Sequence, residues 1–143
     1  MTIDQAKAFQ VSPNFHLWEF LYSEEAIKHG LIQEQLDIPE TFIINLKKLG
    51  VNVLSPLRKE FGVSVLVKSG YRCEDLNTIV NGQPNSDHLT GKAADIYIPG
   101  KMDLAFHYIK NRCKFKQLIN EQNLTWIHVS FDEYNNKMEV FSL

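Results

Sequence analysis

The chain has 143 residues, 44% of them hydrophobic and 22% charged, with a formal net charge of −2 at pH 7. A chain this long can remove roughly two-thirds of its unfolded surface from water, so it needs no disulfide framework, and its aromatic content and low net charge exclude disorder. A near-neutral chain with no Lys/Arg run also argues against nucleic acid as a partner, since a polyanion is bound through clustered basic side chains.

No apolar stretch approaches the ~20 residues that a membrane span requires. The opening MTIDQAKAFQ lacks the basic and then apolar segments of a Sec-type signal. The expectation is a single domain over residues 1–143, monomeric and made in the cytoplasm. Cys73 and Cys113 are too few and too far apart for a disulfide scaffold or a CxxC metal site, so both are expected to be reduced.

In chain order, residues 12–22 (SPNFHLWEFLY) are unusually aromatic and are expected to be pinned onto the core. Ser23 before Glu24, Glu25 and Ala26 reads as an N-cap with an acidic first turn, opening a short helix that stops at Gly30. Pro39-Glu40 opens a stronger one. Phe42, Ile43, Leu46, Leu49, Val53, Leu54, Leu57 and Phe61 recur at three- and four-residue steps and form one apolar stripe. Gly50 and Pro56 are expected to kink or divide this helix, and Gly62 to end it. Val63–Val67 reads as a strand.

Ser69–Gly91 is polar, apart from a helical turn or two around Glu74–Val80. A loop of that length inside a domain is usually functional or disordered. Strand text returns at Ala93–Ile98, a helix follows over Met102–Cys113, and strands are expected at Phe115–Ile119, Thr125–Phe131 and Met138–Phe141. The fold class is α+β, with N-terminal helices packed on a mainly antiparallel sheet.

The residues that carry chemistry are His88, Asp95 and His128. In Ala93–Ile98, Ile96 and Ile98 share one strand face, leaving Asp95 and Tyr97 on the other. In Thr125–Phe131, Ile127, Val129 and Phe131 share a face, leaving Trp126, His128 and Ser130 opposite. If the strands pair through their aliphatic faces, Asp95 and His128 project to the same side, and His88 can reach them across the Gly91 turn. Two imidazoles and one carboxylate make an open zinc site with a fourth position for water, whose pKa zinc lowers to ~7. The spacing is not HExxH, and by itself it is a weak signal: a lone histidine is more often a surface or satisfied core residue than a ligand, and a polar strand face is most often simply wet. His16, His29 and His107 read as structural.

SGYR at 69–72, Asn77, SDHLTGKAADI at 86–96 and WIHVSF at 126–131 resemble the zinc D-alanyl-D-alanine peptidases. That family includes carboxypeptidases and phage endolysins and shares its fold with the hedgehog signalling domain. NFHLWEFLYSEEA is similar to the small phage and prophage branch, so the likeness spans about residues 14–131. The resemblance implies one Zn2+ ion on His88, Asp95 and His128, and peptidoglycan stem peptides as substrate. Arg72 matches the family arginine that contacts a substrate carbonyl or carboxylate, a task suited to a guanidinium's fixed fork of donors. The alternative for Arg72 is an ion pair with Glu74 or Asp75. Ser86 matches a serine near the substrate, or else serves as a turn cap.

The family pattern fails at the general base. Its acidic residue or histidine two or three positions before the last zinc histidine is replaced by Thr125 and Trp126. Glu121 is the remaining candidate, matching a glutamate ahead of WIH in this branch, provided that the NLT segment is a hairpin turn; otherwise it is an exposed turn residue. Asp87 is a weaker candidate, as a support for a ligand imidazole. Lys116 also departs from the branch, which often has aspartate there, and is expected to remove an ion pair or a charge near the site. Three functions follow: a zinc peptidase cleaving cell-wall peptide at or near D-Ala-D-Ala, a zinc-containing but inactive peptidoglycan- or partner-binding domain, or a phage tail-associated structural component. The intact ligand set and Arg72 favour the first. A phage origin would put its work at the cell wall or in a particle.

Overall fold

A computed structural model describes residues 1–143, and the N-terminal third is built from pieces too short for periodicity to show. Helix α1 (Ile3–Ala8) starts on a capping box between Thr2 and Gln5. The aromatic segment divides into strands β1 (Gln10–Ser12) and β2 (Phe15–His16), paired antiparallel, and helix α2 (Leu17–Leu21). Phe15, Leu17, Phe20 and Leu21 are buried and Trp18 packs in part against them, whereas Tyr22 is exposed, so the pinning is shared between aromatic and aliphatic side chains. Helix α3 (Glu24–Lys28) has the expected cap, the Ser23 Oγ accepting the Ala26 N–H at 3.1 Å. Helix α4 (Ile32–Leu36) follows, with no counterpart in the sequence reading.

The long apolar stripe becomes α5 (Glu40–Leu49), a π-helical turn over Gly50–Leu54, and α6 (Ser55–Phe61). Proline cannot donate to the carbonyl four residues back, and its ring presses on that carbonyl. The helix accommodates Pro56 by widening just before it, where the Ser55 N–H reaches back to the Gly50 carbonyl. Thus the helix is neither cut nor sharply ended at Gly50. It stops at Gly62, in the left-handed region at φ +63°.

The second half supplies β3 (Leu66–Ser69), α7 (Glu74–Ile79), a 3-10 turn over Asp87–Thr90, β4 (Ala93–Tyr97), α8 (Met102–Arg112), β5 (Gln117–Glu121), β6 (Trp126–Ser130) and β7 (Glu139–Ser142). The five strands lie in the order β3-β4-β6-β5-β7. Every pairing is antiparallel except β5 with β7, which is parallel. The sheet is therefore mainly antiparallel, within an α+β fold. Strand β3 begins three residues later than Val63–Val67 implies. Its partner accounts for this: β4 ends at Tyr97, opposite Leu66, and Pro99 beyond it has no N–H to extend the ladder.

Ala94, Ile96, Leu118, Ile127 and Val129 are wholly buried and define one face of the sheet, against which α8 packs. They belong to a cluster of 31 buried apolar residues that also takes in the stripes of α5 and α6. Burying a large aliphatic side chain is worth about 1.5–3 kcal/mol, so this face fixes the register and leaves the alternate residues on the other. Gly91 joins the 3-10 turn to β4 at φ +73°, and a Cβ there would lie 2.4 Å from the Phe42 carbonyl oxygen. Only glycine allows the turn to back so closely onto α5. No helix is long and apolar enough to cross a membrane.

Candidate metal centre

The core register sets Asp95 on β4 directly opposite His128 on β6. Their side chains project from the face opposite Ile96 and Ile127, and His128 Nδ1 lies 2.9 Å from Asp95 Oδ1. His88 arrives from the 3-10 turn, where the Ser86 Oγ accepts the His88 N–H at 3.2 Å. The two imidazoles stand 5.2 Å apart, centroid to centroid, at 65°. One ligand atom from each of His88, Asp95 and His128 falls within a 4.8 Å span.

The protonation of His88 can be read from its partners. Its Nδ1 is 2.7 Å from the Gly70 carbonyl oxygen, which can only accept, so Nδ1 carries the proton. The lone pair is then on Nε2, which is buried, has no hydrogen-bond partner, and faces Asp95 Oδ1 at 3.3 Å. Two acceptors aimed at each other in a buried site are costly unless a cation lies between them. This donor set fits zinc, which takes neutral imidazole and carboxylate and favours histidines oriented by a backbone carbonyl. A second proton on His88 would fill the same gap in place of a metal. Against the upward push of burial, charged His88 and His128 rings would then hold the Asp95 carboxyl well below the usual carboxylate range.

Gly70 matters here for its carbonyl and for its lack of a side chain. A Cβ at Gly70 would lie 2.6 Å from the Phe20 carbonyl oxygen, so glycine lets the arginine-bearing segment lie against α2. Arg72 pairs with neither Glu74 nor Asp75. Its Nε donates to Ser69 Oγ at 3.1 Å and its Nη1 to Asn77 Oδ1 at 3.2 Å, while Nη2 lies 3.5 Å from Asp95 Oδ2. Burial lowers its pKa and the Asp95 charge opposes that, but a guanidinium keeps its proton throughout. Arg72 thus stands beside the cluster as a fixed cation.

Sequence reasoning missed Gln35. It is wholly buried, and its amide donates to the Leu21 and Tyr71 carbonyls at 2.9 and 2.8 Å and accepts the Cys73 N–H at 2.8 Å. Tyr71 and Cys73 flank Arg72, so one amide on α4 sets the backbone that aims the guanidinium. The α4 helix, IQEQL, has two glutamines and a glutamate, and nothing in that segment marks Gln35 as the one that turns inward. Gln35→Leu should keep the volume but strand buried backbone groups, at about 2–4 kcal/mol. Denaturant unfolding should show that loss as a shifted midpoint with an unchanged slope; a shift under ~0.5 kcal/mol would deny Gln35 this role.

A cleft of about 500 Å³ encloses the cluster, lined also by Arg72, Ser86, Lys116 and Glu121. Ser86 is seen as the cap of the 3-10 turn, and it faces the cleft as well. Glu121 ends β5, opposite Trp126. The next residues, Gln122, Asn123 and Leu124, have φ between +48° and +60°, and the Thr125 N–H closes the hairpin on the Glu121 carbonyl. The hairpin condition is met, and Glu121 shares the face of Ile119, which is paired with His128. Lys116 does not remove an ion pair: its ammonium makes one with Asp87, 3.0 Å away. Asp87 therefore holds a lysine rather than an imidazole. Thr125 and Trp126 flank the hairpin without any acid.

His16, His29 and His107 are exposed and do not line the cleft. Cys73 and Cys113 are free and buried, and burial pushes both thiols up, Cys113 to about 11. Neither offers a thiolate at neutral pH.

A His/Asp/His cluster of one buried and two half-buried side chains in a polar cleft, with a guanidinium beside it and a carboxylate on the same sheet face, fits metal-assisted hydrolysis. The family model described as Peptidase M15 matches residues 13–130, and the chain belongs to that peptidase family. The family is zinc-dependent, which agrees with the donor set. None of the curated proteins matches the chain.

Proposed function

We propose that the protein is a zinc-dependent peptidase that hydrolyses a bond at or near D-Ala-D-Ala in the stem peptides of bacterial peptidoglycan. The observation that carries this reading is the His88 Nε2 lone pair, buried without a partner and convergent with Asp95 and His128. Zinc held by those three would supply a Lewis acid and a water of lowered pKa. Arg72, fixed by Ser69 and Asn77, donates to the scissile carbonyl oxygen as negative charge develops there. Glu121 takes the proton of the attacking water and passes it to the leaving amine. Ser86 lies along the substrate's path. The family membership supports the substrate class, and the likeness to the phage and prophage branch supports a lytic protein acting at the cell wall.

Zinc-loaded protein should release D-Ala or new amino groups from purified peptidoglycan, as read by mass spectrometry. Chelation should stop the release and added zinc restore it. One equivalent of bound zinc with no release from any muropeptide would instead favour a binding domain, the reading to which Thr125 and Trp126 lend weight.

A further inference from the structure

The cleft holds two cations, and they differ in how many donors remain. Arg72 already serves Ser69, Asn77 and Asp95. Lys116 carries three ammonium donors and meets a single acceptor, Asp87 Oδ1. Its side chain is 23% exposed and lines the cleft. The root of that side chain is fixed on both flanks, the Lys116 N–H donating to the Ser130 carbonyl at 2.7 Å and its carbonyl accepting the Glu139 N–H at 3.1 Å. Asp87 then steers the ammonium toward the turn that bears His88.

Strand order separates the two cations. Arg72 follows β3 and Lys116 precedes β5, while the β4 and β6 that bear Asp95 and His128 lie between them. Charge points the same way. Among the side chains of the cleft, two cations face three carboxylates (Asp87, Asp95 and Glu121), and a bound dication would reverse the sign of that side-chain balance. Asp132, the other acid within the field of Lys116, is held by Lys92 at 2.9 Å.

We propose that Lys116 is a specificity-determining residue that takes a carboxylate of the substrate, across the metal cluster from Arg72. This rests on the peptidase reading and narrows it to acidic peptides. A stem peptide with lysine at its third position offers two such groups, the C-terminal carboxylate and the α-carboxylate of its γ-linked glutamate. The competing role for Lys116 is a strut, which joins the His88 turn to β5 and binds nothing.

The test uses three synthetic pentapeptides: one with both carboxylates free, one amidated at the C-terminus, and one amidated at the γ-linked glutamate. With the zinc-loaded protein, Lys116→Met should raise KM about 10-fold or more for peptides that keep the engaged carboxylate. The peptide amidated at that group should show no such rise, and Lys116→Arg should restore tight binding. Zinc affinity, measured by chelator competition, should be equal in both variants and the wild type. An equal KM rise for all three peptides, or a loss of zinc affinity in Lys116→Met, assigns the strut and overturns the proposal. Calorimetry with zinc-loaded Glu121→Gln separates this from the peptidase reading. If the wild type cleaves nothing, that reading fails, while a Lys116-dependent preference for acid over amide still upholds the assignment. Absence of any such preference overturns it.

Discussion

His128→Ala is expected to abolish zinc binding and peptide release together, with activity falling at least ~1,000-fold. Two protein ligands would remain, and the Asp95 carboxylate would lose its 2.9 Å neighbour. The effect should be on the metal rather than on the fold. His128 lies on the outer face of the sheet, whereas Ile127 and Val129, which flank it, point into the core and are untouched. Thermal unfolding distinguishes the two. Zinc at ~1,000 times its Kd adds about 4 kcal/mol to the native state, which for a chain of this size raises Tm by roughly 10 °C. The wild type should show that rise and His128→Ala should not, while the metal-free forms unfold within a few degrees of each other. His88→Ala should lose the same zinc-dependent rise, since it removes the partnerless Nε2 itself, although its metal-free form should also unfold earlier because the Gly70 carbonyl loses its buried donor. Zinc bound stoichiometrically and tightly to either variant would sink the three-ligand assignment.

The meeting of Asp95 and His128 was legible because strand alternation is a strict period of two. Once Ile96 and Ile127 are assigned to the core, Asp95 and His128 have one side left, and the pairing sets them opposite each other. The long helix was legible for the same kind of reason, through its stripe. Side-chain partners distant in sequence that strand alternation does not set opposite each other were not. Arg72 bonds Asp95 across 23 positions, Gln35 reaches Tyr71 across 36, and Lys116 reaches Asp87 across 29; no local pattern encodes these partners. Helices α1, α2 and α4 span only five or six residues, about a turn and a half, and their stability comes from packing rather than propensity. The parallel placement of β7 beside β5 was equally hidden, because a short apolar run carries no record of its partner's direction.

Glu121→Gln is expected to lower kcat by about 10²–10⁴ while leaving zinc content and KM nearly unchanged. Glutamine keeps the size and an acceptor oxygen but takes no proton at neutral pH, so only the step that needs proton transfer is lost. The geometry supports Glu121 over the other acids. On β5, Ile119 is paired with His128, and Glu121 lies two residues farther along the same face, at the rim of the cleft. Asp95 is held by both histidines and Arg72, and its strongly lowered pKa makes it a poor base. Asp87 is tied to Lys116 at 3.0 Å. Glu121 has no ion-pair partner among the cations of the cleft, so its carboxylate is the one free to accept a proton. The hairpin makes a second variant informative. Glu121→Asp shortens the side chain by one methylene from the same backbone position and should recover part of the rate. A kcat within threefold of the wild type in Glu121→Gln would move the role to another group, and Asp87→Asn would then be the variant to measure.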